Sequence, residues 1–237
     1  MKRVVTTIIG LISLLAIAGT SSAALRSPQV AVAGGTLQAY LNSVGESINV
    51  LTDQQDIQRW AATVSNNSTF TIQVELSGNA ANNTIGLYNA SAAVPPLYLV
   101  FPGAATNGWF AIASFRTAPT RLVVNLFDAS ASLQGTVTYL AGPPDRNDFG
   151  FWLSPAVGGG LVFYTQDVRN PCGAAQALTY AGTGLNSGSW WLCWEDAQRG
   201  CGGPSDNDFD DAVLFLESVN PTPVVHTSWG QLKSRFH

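Results

Sequence analysis

The sequence predicts an all-β protein, an antiparallel β-sandwich of jelly-roll-like organisation with a small helical element at its N-terminal side. Three observations carry this. Short runs rich in β-branched and aromatic residues recur between clusters of Gly, Asn, Pro and Ser. In Thr69-Phe70-Thr71-Ile72-Gln73-Val74-Glu75-Leu76 every second side chain is apolar, as a half-buried strand requires. Helical patterning is confined to Thr36 to Asn42 and Asp53 to Thr63.

In chain order, the strand-like runs begin with Ser47 to Leu51, Ser68 to Leu76, Ile85 to Tyr88 and Leu97 to Phe101. Trp109 to Phe115, Arg121 to Phe127, Gln134 to Leu140 and Phe149 to Leu153 follow. Gly160 to Tyr164, Ala177 to Tyr180, Ser189 to Glu195 and Phe209 to Val219 complete the set. No change of composition between residues 25 and 220 marks a linker, so these runs form one domain. Asn220-Pro221-Thr222-Pro223 then stops strand formation, and residues 221–237 are expected to be an appended tail.

Ahead of the domain, Met1-Lys2-Arg3, an apolar run from Val4 to Ala18 and the small residues up to Ala24 have the three-part shape of a secretory signal peptide. Residues 1–24 are read as that leader, cleaved after Ala23 or Ala24. The apolar run is interrupted by Thr6, Thr7, Gly10 and Ser13 and falls short of the roughly 20 residues that span a bilayer. A secreted or cell-surface protein is expected, with no membrane span in its mature form. Removal of Lys2 and Arg3 leaves nine basic against fifteen acidic groups, a balance that excludes nucleic acid as a partner.

The two histidines, His226 and His237, both lie in the tail. The body of the domain therefore lacks the imidazole that a Ser-His-Asp or Cys-His nucleophile system needs, and the usual nitrogen ligands of zinc. No catalytic residue is assigned. The three cysteines, Cys172, Cys193 and Cys201, suit a disulfide in an exported protein. Cys193 and Cys201 are the best candidates by proximity, with pairing of either to Cys172 left open.

The chemistry is concentrated near the C-terminal end of the domain. Glu195 and Asp196 end one strand-like run, and Asp206, Asp208, Asp210 and Asp211 precede the apolar run Ala212 to Leu216. Between them lies Gly200-Cys201-Gly202-Gly203-Pro204-Ser205. An antiparallel return brings both acidic groups to one end of a hairpin. Several hard oxygen donors around one point match calcium, which takes six to eight oxygens in flexible geometry. Asp206, Asp208 and Asp211 are the expected ligands, with Glu195, Asp196 and Asp210 completing the shell. An EF-hand is excluded, because Asp211 stands where that loop needs glycine and the following residues read as strand. A glycosidase would need paired carboxylates across a cleft, whereas these acids crowd one hairpin.

Trp190, Trp191 and Trp194 adjoin the acids. Alternation puts Trp190 and Trp194 on one face and Trp191 on the other with Cys193 and Glu195. Trp190 and Trp194 are the candidates for contact with a ligand such as a glycan or a cell-surface protein.

Trp194-Glu195-Asp196, the Gly-rich gap and Asp206-Asn207-Asp208-Phe209-Asp210-Asp211 running into Ala212-Val213-Leu214-Phe215 resemble the signature of the bacterial domain-of-unknown-function family 4114. The resemblance covers residues 160–219. Phe163-Tyr164 and Asn170 correspond to the element that precedes the signature, while Ala175-Gln176 stands where the family has Asp-His. It implies an extracellular β-sandwich module, stabilised by a cation and without an established enzymatic activity. The expected function is thus a non-enzymatic calcium-binding module in which the ion is structural. The alternative is a calcium-dependent adhesin or glycan-binding module, and a glycosidase is the third reading.

Overall fold

The structure is a computed structural model that describes residues 23–76, 80–140, 142–155 and 160–222. Residues 1–22 of the expected leader and residues 223–237 of the expected tail lie outside the described residues.

The elements are α1 (Thr36–Ser43) and strands β1 (Trp60–Ala62), β2 (Asn67–Val74), β3 (Thr84–Asn89), β4 (Leu97–Phe101), β5 (Phe110–Thr117), β6 (Thr120–Phe127) and β7 (Leu133–Tyr139). They continue with β8 (Phe149–Ser154), β9 (Phe163–Tyr164), β10 (Ala177–Ala181), β11 (Trp190–Trp194), β12 (Ala212–Glu217) and β13 (Val219–Pro221). One sheet has the order β13-β1-β8-β3-β4, with β9 added to β8, and the other the order β10-β11-β12-β2-β5-β6-β7. All pairings are antiparallel, so the sandwich read from the sequence is the fold.

The inner faces meet in an aromatic core. Trp60, Phe149 and Phe151 of the smaller sheet pack with Phe70, Leu192 and Leu214 of the larger. Phe151 lies edge-on to both Trp60 and Phe70, at centroid distances of 5.2 and 5.0 Å, the arrangement ring quadrupoles favour. The outer face of β10, β11 and β12 is also covered, by Leu37 and Leu41 of α1 and by Ile48 and Val50 after it. Burial on both faces explains why Trp190 to Trp194 and Ala212 to Leu216 are nearly continuous apolar runs rather than alternating ones.

Several expected boundaries shift, each for a local reason. Ser47 to Leu51 is not a strand, because the Gln38 side chain satisfies its backbone: Gln38 Nε2 donates to Ile48 O and Val50 N donates to Gln38 Oε1. Asp53 to Thr63 is not helical; Gln55 bridges Leu25 and Thr179, and Trp60–Ala62 is β1. The run Phe209 to Val219 divides at Ser218, whose φ of 57° turns the chain from the larger sheet into the smaller. Strand structure extends through Pro221, opposite Trp60 at the sheet edge, where a missing N–H is tolerated. No helix among the described residues is long and apolar enough to cross a membrane.

Candidate metal centre

Antiparallel register builds the site. Trp194 pairs with Ala212 across β11 and β12, so the next step outward sets Glu195 opposite Asp211. In a strand, residues directly opposite each other share a face. That face is the outer one, where Trp191, Cys193 and Val213 pack beneath α1. Asp208 enters from the loop preceding β12, in a stretch where Asn207 and Phe209 both take left-handed φ values, 67° and 56°. Ala33 N donates to Asn207 O at 2.8 Å, so the N-terminal segment lies against this loop.

Carboxylate oxygens of Glu195, Asp208 and Asp211 all lie within 4.8 Å of one another. Glu195 is fully buried and Asp211 is 9% exposed. Their remaining lone pairs are held by backbone donors: Asn207 N gives a hydrogen bond to Glu195 Oε2 at 3.0 Å, and Asp196 N gives one to Asp211 Oδ2 at 2.7 Å. No arginine forms an ion pair with the three acids among the described residues. Arg199, the nearest candidate by sequence, donates instead to Asn207 Oδ1 and Ala175 O, and its guanidinium lies 4.8 Å from the centre of the Phe209 ring.

The electrostatic result is a crowded set of acids. Burial, with Asp206 and Asp208 nearby, pushes Glu195 up to about 7. Burial and the charges of Asp196, Glu195 and Asp208 push Asp211 up to about 8, against the lowering effect of the Asp196 N–H. Asp210 is raised to about 6 by burial and by Asp208, and its Oδ2 is buried without a partner. Like charges this close, in a low-dielectric setting, favour whatever neutralises them, a proton or a cation.

The expected ligand set is thus partly drawn together. Asp208, Asp211 and Glu195 form the cluster; Asp210 adjoins it; Asp206 is exposed and outside the 4.8 Å group. Asp196 is one residue beyond Glu195 and points to the opposite side, where its Oδ2 accepts from Asn83 Nδ2 at 2.9 Å. There it faces two groups that the sequence reading did not single out. Asn83 is 2% exposed with its Oδ1 unpartnered, and Glu75 is raised to about 8 by burial and by Asp196. Both lie more than a hundred residues from the hairpin, so no local spacing marks them.

Two expectations are corrected. The disulfide joins Cys172 to Cys201, with a Cα–Cα distance of 6.0 Å, and not Cys193 to Cys201. Cys193 is in the middle of β11, paired in register with Leu178 and Val213 and buried under α1, whereas Cys201 is in the loop outside the sheet. Proximity in sequence misled because the strand carries Cys193 into the domain. Trp194 is not available to a ligand: it is fully buried in the core between the sheets, and Trp190 is half-buried against the same core. The predicted alternation of the tryptophans holds, with Trp191 on the other face.

Gln176 organises the turn after β11. Its Nε2 donates to Glu195 O and Ala197 O, and its Oε1 accepts from Arg199 N. This clamp and the Cys172–Cys201 bridge hold the acidic loop from the side of β10. Comparison with family models, curated proteins and solved structures finds no match for this chain.

Proposed function

We propose that the protein is a secreted, non-enzymatic module in which a calcium ion ties together the two sides of the 195–211 hairpin. The observation that carries this reading is the convergence of Glu195, Asp208 and Asp211 oxygens within 4.8 Å without a paired arginine. Three converging carboxylates are an all-oxygen donor set, which suits a hard cation, and calcium tolerates the irregular geometry better than magnesium. Asp210, with an unpartnered oxygen buried beside Asp208, would complete or orient the shell. The leader-like N-terminus and the Cys172–Cys201 disulfide favour export, since such bridges persist in oxidising compartments.

The role assigned to the ion is structural. Glu195 and Asp211 sit at the ends of neighbouring strands and Asp208 in the loop between, so one cation replaces mutual repulsion with attraction at the point where the hairpin opens. The test is thermal unfolding of the mature chain with calcium, with magnesium and with chelator. A melting temperature indifferent to all three overturns the proposal.

A further inference from the structure

We infer that the end of the sandwich opposite the acidic hairpin carries an anion site, built from Arg116, Arg121 and Arg146, that takes one tetrahedral oxyanion group, a sulfate or a phosphate. Strand register places the two ends. Val74 of β2 pairs with Val213 near the acidic end, while Asn67, at the other end of β2, pairs with Ser114, and β5 runs on from there to Arg116 and Thr117. The loop bearing Arg146 reaches the same end, since Arg146 O accepts from Ala62 N and β8 begins just after it.

Among the described residues, Arg26 pairs with Asp167 and Arg59 with Asp148, Arg169 donates to Gln166, Ala90, Ala92 and Ala93, and Arg199 donates to Asn207 and Ala175. The three arginines left, Arg116, Arg121 and Arg146, line one cavity of about 190 Å3 between the β5–β6 turn and residues 143–146. Arg116 and Arg121 are directly opposite in the β5–β6 register, a like-charged cross-strand pair that costs stability unless an anion lies between. Arg146 Nε is buried without an acceptor, a donor whose cost an entering oxygen relieves after a small turn of the guanidinium.

The remaining lining fits an oxyanion. Thr117 brings a hydroxyl donor to the rim, while Thr120 Oγ1 donates to Thr117 O at 3.4 Å, and the guanidinium fork matches the spacing of oxygens on sulfur or phosphorus. Asp145 also lines the cavity and opposes the anion; its Oδ1 is engaged by Asn147 N at 2.8 Å. Three positive charges against one leave the pocket cationic, in a chain whose formal net charge is −4. The site is independent of the acidic hairpin, and its failure would leave the calcium reading untouched.

The experiment is an NMR titration of the mature chain, in calcium-free amine buffer at matched ionic strength, with chloride, inorganic sulfate, inorganic phosphate and a monosulfated sugar. Saturable shifts confined to residues 115–121 and 143–147 and absent with chloride are expected, and the order of the three oxyanions tells a free ion from an ester-bound group. The double variant Arg116→Ser with Arg121→Ser is expected to weaken binding by at least about tenfold. Asp145→Asn is expected to tighten it about threefold by removing the opposing charge. The melting temperatures of both variants in chloride establish that they fold. Absence of saturable shifts with every oxyanion, or equal shifts in wild type and the double variant, overturns the site.

Discussion

Glu195 and Asp211 face each other one step beyond the last hydrogen-bonded pair of β11 and β12, and with Asp208 their oxygens approach within 4.8 Å. Two buried carboxylates in that position repel each other, so a cation bound at the hairpin end, as proposed above, would stabilise the fold.

For a dissociation constant of about 10⁻⁴ to 10⁻³ M, typical of extracellular calcium modules, calcium at about 10 mM stabilises by about 1.4 to 2.7 kcal/mol and raises Tm by about 3 to 10 °C. Asp208→Ala is expected to abolish the rise. Asp206→Ala, an exposed position outside the cluster, and Asp145→Ala, at the far end of the sandwich, are expected to retain most of it. Differential scanning calorimetry with and without chelator reads all four proteins.

The disulfide gives a second prediction. Cys172 and Cys201 are 29 residues apart, and closing a loop of that length stabilises by about 3.5 kcal/mol on the chain-entropy model. Cys172→Ser with Cys201→Ser is expected to lower the denaturant midpoint accordingly. In the folded wild type, peptide mapping without reduction should recover Cys172 linked to Cys201. Cys193 should resist alkylation until the chain unfolds, since burial pushes its thiol up and shields it. Linkage through Cys193 would contradict the structure.

Glu46 provides a pH-dependent test away from the acidic hairpin. It is 4% exposed, and its carboxylate accepts from Thr183 N and Oγ1, Asn186 Nδ2 and Trp191 Nε1. Burial alone would raise its pKa, but these hydrogen bonds outweigh burial and hold it below the ordinary value. A depressed folded pKa means that the unfolded chain takes up the proton first as pH falls. The stabilisation is therefore present in full above about pH 4.3, the usual glutamate value, and is lost as pH drops through the folded value. Glu46→Gln is expected to lower stability at pH 7 and to flatten its decline below about pH 4.3, measured by urea unfolding across pH.

Trp194 tests the correction to the tryptophan assignment. As a fully buried core residue, its replacement by alanine is expected to cost about 3 to 5 kcal/mol. The calcium-induced rise in Tm should persist in whatever fraction folds. Fluorescence of a single-tryptophan variant retaining Trp194 should be blue-shifted and protected from acrylamide. Ready quenching in the native state would restore Trp194 as a surface contact.

The sequence by itself determined the class of fold and the neighbourhood of the candidate site. Period-two alternation in 69–76 and the apolar runs of 190–194 and 212–216 are patterns written in the local sequence, and they mark strands before any partner is known. The crowding of Glu195, Asp196, Asp208, Asp210 and Asp211 near one turn follows equally from an antiparallel return. Tertiary structure decided which of those acids meet. Glu195 and Asp196 are consecutive, yet pleating sends them to opposite faces, one toward Asp211 and Asp208, the other toward Asn83 just ahead of β3 of the smaller sheet. The Cys172–Cys201 pairing, the burial of Trp194 and the arginine-lined cavity likewise depend on contacts between segments distant in sequence. Spacing along a chain carries no record of such contacts, because packing of whole sheets and loops, rather than local pattern, brings the groups together.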